Sequence, residues 1–179
     1  SRVVRVSVET RMLWGWGYDA SYDGDGNFVL EIRRPPDLSR TTNVLAGRTI
    51  VLDPGHGPEE SAIGPRGNTE REINLAIARQ LEERLLRQGA EVYMIRTSSD
   101  GPSLMDRPLK AWEVKGDLYL SIHNNALPET ANPNDRGRGF MHFYYHPHSR
   151  RLVEAIHQSY LKNHPEENRA AGCGGSLFS

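Results

Sequence analysis

Long apolar runs, cysteine and an excess of either charge are all scarce in this sequence, and each scarcity removes a class of protein. No apolar stretch approaches the roughly 20 residues that a helix needs to cross a bilayer, so no membrane span is expected. The opening Ser1-Arg2-Val3-Val4-Arg5 also lacks the apolar core of a signal peptide. Lys and Arg total 22 against 23 Asp and Glu. That balance gives no broad electrostatic attraction to nucleic acid or anionic lipid, and no nucleic-acid partner is expected. The single cysteine, Cys173, excludes an internal disulfide and any cysteine-rich zinc site, so a metal would have to be held by His and carboxylate. An initiator Met is missing too, and the chain stops at Ser176-Leu177-Phe178-Ser179 without an obvious final element. It reads as a processed or trimmed piece of something longer.

What is present suits one ordinary domain with a modest appendage: 179 residues, 37% of them hydrophobic. Residues 1–36 read as a strand-rich N-terminal piece. Val3 to Val8 alternates, Met12 to Tyr18 is aromatic-rich, and Phe28 to Ile32 follows the turn signal Asp23-Gly24-Asp25-Gly26. Pro35-Pro36 resists both helix and central strand, which makes residues 37–46 a linker.

From 47 to 179 the pattern becomes alternating strand and helix. Thr49 to Leu52 is a short β-branched run suited to a strand covered on both faces. A helix follows, with Ile73, Ile77, Leu81 and Leu85 at four-residue spacing, a capping-box start at Thr69-Glu70-Arg71-Glu72, and Gly89 to end it. Glu91–Ile95 predicts a strand, Leu109, Trp112 and Val114 a helix, Asp117–Ile122 a strand, Phe140–Tyr145 a fourth strand, and Ser149–Leu161 a helix with Leu152, Ile156 and Tyr160 on one face. The expected fold class is α/β, a mainly parallel sheet flanked by helices and preceded by a small N-terminal β piece.

His56 and His123 each stand just beyond the carboxyl end of an expected strand, where ligands gather in open α/β sheets. Gly55 and Gly57 flank His56, allow a tight turn and leave space beside the imidazole. Zinc catalysis commonly uses three protein ligands and a water. The carboxylates available between the histidines are Glu59, Glu60, Glu70 and Glu72. The capping box occupies Glu72 at the Thr69 backbone, whereas Glu70 in the first helical turn can reach the loop region, so Glu70 is the better third ligand. The competing reading of Glu70 is a solvated acid favoured by the helix dipole.

These segments resemble the zinc-dependent N-acetylmuramoyl-L-alanine amidases. The likeness is carried by Val51-Leu52-Asp53-Pro54-Gly55-His56-Gly57, by Glu70-Arg71-Glu72-Ile73-Asn74-Leu75-Ala76, and by Ser121-Ile122-His123-Asn124-Asn125-Ala126. Arg96-Thr97, Asp100, Leu104 and Arg107, then Gly139 to Tyr145 and the helix after it, extend it from about Leu45 to about Leu161. The resemblance implies a Zn²⁺ ion held by His56, Glu70 and His123, and peptidoglycan as substrate. The implied reaction is hydrolysis of the amide between the lactyl group of N-acetylmuramic acid and L-alanine. It also implies action outside the cytoplasm, in periplasm, cell wall or medium, and leaves room for a protein activator or wall-targeting partner.

The family's second glutamate, its general base, follows an apolar strand near the C-terminus, and nothing after Tyr160 matches that stretch. Glu166 and Glu167 lie in a polar loop, so the catalytic base is not assigned. Two readings follow: a domain incomplete at its C-terminus, or a wall-binding module that retains the fold without cleaving. A carboxypeptidase-like zinc hydrolase is a third, but there the first His and the Glu are separated by only two residues, unlike His56 and Glu70.

Asn125 is a candidate for orienting substrate or a water near the metal. His142 is expected to pack at the sheet or face the surface, His146 and His148 to be solvated turn residues, and His157 and His164 to occupy an ordinary helix face and its end. Asp106 and Arg107 read as helix-start residues. The N-terminal piece weakly resembles the last strands of β-sandwich targeting modules; Trp14 and Trp16, if exposed, would be available to stack on sugar rings, and core packing is expected for at least one of them.

Overall fold

The computed structural model describes residues 3–12, 15–38, 42–59, 61–126, 139–165 and the backbone of 172–174. Trp14, Glu60, Glu166 and Glu167 lie outside them. The chain divides into two compact units, residues 38–130 and residues 1–37 with 131–179.

In the first of these units three strands form a parallel sheet. Strand β3 (Thr49–Pro54) lies between β4 (Glu91–Met94) and β5 (Leu118–Ile122), with Leu52 opposite Met94 on one side and Leu120 on the other. The apolar run of β3 is explained by its surroundings, because Val51 and Leu52 are fully buried and the strand is covered on both faces. On the face of Ile50 and Leu52 lie Leu81 and Leu85 of helix α1 (Glu70–Arg87), with Leu45, Ala90, Val92, Met94, Leu118 and Leu120. On the face of Val51 lie Ile95, Ala111 of helix α2 (Asp106–Glu113) and Val114. Asp53 follows Val51 by two residues, so strand alternation directs it to the α2 side.

Helix α1 begins with the expected capping box: Glu72 N–H donates to Thr69 Oγ1, and the Glu72 carboxylate accepts from the Thr69 backbone. Gly89, at φ 80°, follows its last turn as expected. Leu81 and Leu85 of the expected inward row pack on the core, but the earlier part of the row differs. Ile77 is exposed, and the buried residues are Glu70, Asn74 and Ala78. The first two turns of the helix therefore present polar side chains inward, which apolar spacing alone does not reveal. Leu109 of α2 is likewise exposed, and the inward positions are Arg107 and Ala111.

The other unit contains an antiparallel hairpin, β1 (Tyr18–Tyr22) with β2 (Phe28–Ile32). Its loop is built on Asp23, whose carboxylate accepts from the N–H groups of Asp25 and Asn27 and from Asn27 Nδ2, with Gly26 at φ 81°. Residues 3–12 form no strand, against expectation, and Val3, Val4, Val6 and Val8 stand exposed. Alternation is a strand signal only where a partner and a covering layer are available. Trp16 is half-buried. Strand β6 (Met141–Phe143) pairs in parallel with β7 (Gly172–Gly174) in a two-stranded sheet. Helix α3 (Arg150–Asn163) follows a single 3₁₀ turn, Pro147–Ser149, and buries Val153 and His157, while Tyr160 is substantially exposed.

His142 on β6 packs inward: its Nδ1 lies 3.1 Å from His157 Nδ1, with the rings of Phe140 and Tyr160 against it. Burial, then the charge of His157, holds its pKa below the ordinary histidine value. His146 and His148 stack with ring centroids 5.1 Å apart, and His148 is half-buried rather than solvated. No described helix is long and apolar enough to cross a membrane.

Candidate metal centre

The loop leaving β3 and the loop leaving β5 stand side by side because their strands are neighbours, in register to Pro54 and Ile122, and Gly55 N–H continues the pairing to the Ile122 carbonyl. The next residue on each chain path is a histidine or leads to one. Helix α1 then brings its first residue to the same place, anchored by Glu70 N–H donating to the Ala62 carbonyl.

Three side chains converge there. The Glu70 carboxylate lies between the two imidazoles, with Oε2 at 3.1 Å from His56 Nε2 and Oε1 at 3.1 Å from His123 Nδ1. One candidate donor atom from each of the three residues falls within a 4.8 Å cluster, the only such group of three among the described residues. Two imidazole nitrogens and one carboxylate oxygen are a donor set that suits zinc. Glu70 is buried, at 7% exposure, whereas His123 is about half exposed, so the cluster reaches solvent at His123. Burial by itself would raise the Glu70 pKa. The Asn124 backbone N–H, the His123 ring, the charge of His56 and Asn74 outweigh it and hold the carboxyl below its usual range.

His56 has φ 63°, in the left-handed region, while its glycine neighbours do not occupy it. A Cβ on Gly55 would lie 2.3 Å from the His123 ring, so this glycine makes room for the other histidine. Gly57 faces Arg107 and Glu59.

A polar shell supports the cluster. Asn124 N–H donates to Glu70 Oε1 at 2.9 Å, Asn124 Nδ2 to Asn74 Oδ1 at 2.8 Å, and Asn74 Nδ2 to the Gly55 carbonyl at 3.3 Å. Asn74 is fully buried and stands one helical turn after Glu70, a spacing that places both on one face. That spacing was a usable sequence signal, masked by the apolar row read through Ile73 and Ile77. Asn125 is exposed beside this shell.

Beneath the loop, Asp53 is buried and fully engaged. Its Oδ1 accepts from Arg107 Nη1 at 2.6 Å, and its Oδ2 from the Tyr119 hydroxyl at 2.5 Å and Ser121 Oγ at 3.1 Å. Burial first, and then the bond to Asp53, raise the Tyr119 pKa far above its ordinary value, so the phenol stays a donor. Arg107 is more than a helix-start residue: Nη2 donates to the His56 carbonyl at 2.8 Å. Arg96 is buried too, donating to the carbonyls of Pro54 and Gly55. Periodicity could not find these arginines, because a buried guanidinium shows in sequence as an ordinary surface charge.

Known proteins carry the same frame. The probable cell wall amidase LytH of Staphylococcus aureus is 37% identical over an alignment of 140 residues that covers 75% of this chain and 44% of that protein. The chain thus spans less than half the length of the curated relative it matches. Among solved structures, the amidase AmiC2 of Nostoc punctiforme superposes with a TM-score of 0.65 at 24% identity, covering 74% of this chain and 72% of that one. The catalytic domain of CwlV from Bacillus (Paenibacillus) polymyxa var. colistinus does so with a TM-score of 0.62 at 25% identity, covering 73% and 71%. The family model described as N-acetylmuramoyl-L-alanine amidase matches residues 50–173, taking in β3 from Ile50 on, His56, Glu70 and His123. With that match extending over most of the chain, the protein belongs to the N-acetylmuramoyl-L-alanine amidase family.

Proposed function

We propose that this chain carries the zinc centre of a peptidoglycan amidase that acts outside the cytoplasm, hydrolysing the amide between N-acetylmuramic acid and the L-alanine of the stem peptide. The observation that carries the reading is the convergence of His56, Glu70 and His123 on one point at the open end of the sheet. When bound, zinc would supply Lewis acidity toward the scissile carbonyl and a more acidic water.

The residues of the chain do the rest. Glu70, kept ionised by its donors, and the two imidazoles form a cup with its opening on the His123 side. Asn74 and Asn124 fix the Glu70 carboxylate, and Gly55 admits the His123 ring. Asn125, exposed next to them, is the residue we assign to substrate orientation. No described residue is assigned the general base.

The deciding assay is digestion of purified muropeptides by the full-length protein. Release of peptides beginning with L-alanine, abolished by a chelator and restored by zinc, is the expected result. His56→Ala and His123→Ala should each lose stoichiometric zinc and activity together. Zinc binding with no release would instead establish a wall-binding module, and full zinc retention in either variant would remove the site.

A further inference from the structure

Four successive carbonyls, those of Pro54, Gly55, His56 and Gly57, each accept a hydrogen bond from a guanidinium. Arg96 donates from Nε to Pro54 O at 2.7 Å and from Nη2 to Gly55 O at 2.8 Å. Arg107 donates from Nη2 to His56 O at 2.8 Å and from Nη1 to Pro54 O at 3.2 Å. Arg71 donates from Nη1 to Gly57 O at 3.3 Å. The three arginines come from α1, the segment after β4, and α2, so the loop is tied to three elements. The inner two are themselves held: Arg96 also donates to the carbonyls of Ser98 and Arg71, and Arg107 to Asp53.

We propose that Arg96 and Arg107 are positioning residues for the metal centre, a carbonyl clamp that sets the backbone of His56. The two dihedrals of His56 are the rotations of its flanking peptide planes about the N–Cα and Cα–C bonds. The plane before it ends in Gly55 O, held by Arg96, and the plane after it carries His56 O, held by Arg107. Fixing both planes fixes the left-handed conformation that a residue with a Cβ otherwise avoids. That conformation aims Nε2 at Glu70. A guanidinium performs this because its donors are planar and rigidly spaced, so Arg96 spans two adjacent carbonyls from one fork; a lysine ammonium has no such geometry. Arg71, acting only on Gly57, lies outside the pair of planes that matter.

The inference rests on the zinc reading, and two readouts keep the two apart. The first is free of metal: the backbone carbon chemical shifts of His56 in the apo protein, which distinguish left-handed from other conformations. The second is the zinc dissociation constant, measured by competition with a chromophoric chelator. Arg96→Lys and Arg107→Lys keep the charge and lose the fork. Each should move the His56 shifts away from left-handed values and weaken zinc by roughly 10- to 100-fold, with circular dichroism unchanged. Arg71→Gln should weaken zinc by less than about tenfold. Folded lysine variants that keep both the shifts and the affinity overturn the clamp. A wild-type protein that binds no zinc overturns the zinc reading, while the shifts still judge the clamp. Should the lysine variants not fold, hydrogen exchange in the wild type decides: a slowly exchanging Arg96 Nε–H supports the clamp, and a rapidly exchanging one overturns it.

Discussion

Arg107 and Asp53 meet at 2.6 Å with both side chains only 3% exposed, joining the second helix to the end of the central strand directly under the histidine loop. Removing one partner leaves the other as an uncompensated buried charge, at a cost of about 3–5 kcal/mol. Arg107→Met should therefore lower unfolding stability by that amount in urea denaturation. The double variant Asp53→Asn/Arg107→Met should recover part of it, since both charges go together. A loss below about 1 kcal/mol for the single variant would show that the pair is relaxed in solution.

Gly55 is a position where the side chain of a distant residue occupies the missing Cβ. A methyl group there would lie 2.3 Å from the His123 ring, far inside contact distance. Gly55→Ala is expected to displace His123 and reduce zinc affinity by at least about tenfold, read by chelator competition. Far-ultraviolet circular dichroism should change little, because the sheet ends one residue earlier.

Glu70 and Glu72 are two residues apart and do different work. Glu72 closes the helix cap with Thr69, and Glu70 lies between the imidazoles. Thr69→Ala should cost about 1 kcal/mol of stability while zinc stoichiometry stays at one. Glu70→Gln should abolish tight zinc binding, and Glu72→Gln should retain it. Equilibrium dialysis of the two glutamine variants side by side is the check, and loss of metal in Glu72→Gln would reverse the assignment.

The paired histidines of the other unit carry a pH dependence whose sign follows from burial. Burial first, then the charge of His157, depresses the His142 pKa below its ordinary value of 6.5, and burial and His146 act the same way on His148. As the pH falls through 6.5 the unfolded chain takes up these protons before the folded one, so stability present at higher pH is lost on acidification. Thermal midpoints recorded from about pH 7.5 to about pH 5 should fall, and fall less in His142→Gln. An equal fall in the variant would clear His142 of the effect.

Much of the architecture could be read from residue order. A β-branched run, a capping box and a terminal glycine each act within one turn or strand, so Thr49–Leu52, Thr69–Glu72 and Gly89 announced their elements locally. The choice of Glu70 over Glu72 also came from a local rule, and the structure places Glu70 between the two histidines. Val3 to Val8 shows the limit of such rules, because the alternation pairs with no strand among the described residues and forms none. His157 was passed over for a similar reason: its burial depends on β6, which no spacing within the helix discloses.

The sequence by itself determined the α/β class, the strand ends on which the two histidines stand and the helix cap that frees one glutamate, because these depend on interactions between residues a few positions apart. Only the tertiary structure decided what lies under the histidine loop. Asp53 with Arg107, Arg96 on the Pro54 and Gly55 carbonyls, and Asn74 with Asn124 are separated by 41 to 54 positions in the chain. Buried charges and amides become legible only when folding removes water and leaves them one another as partners.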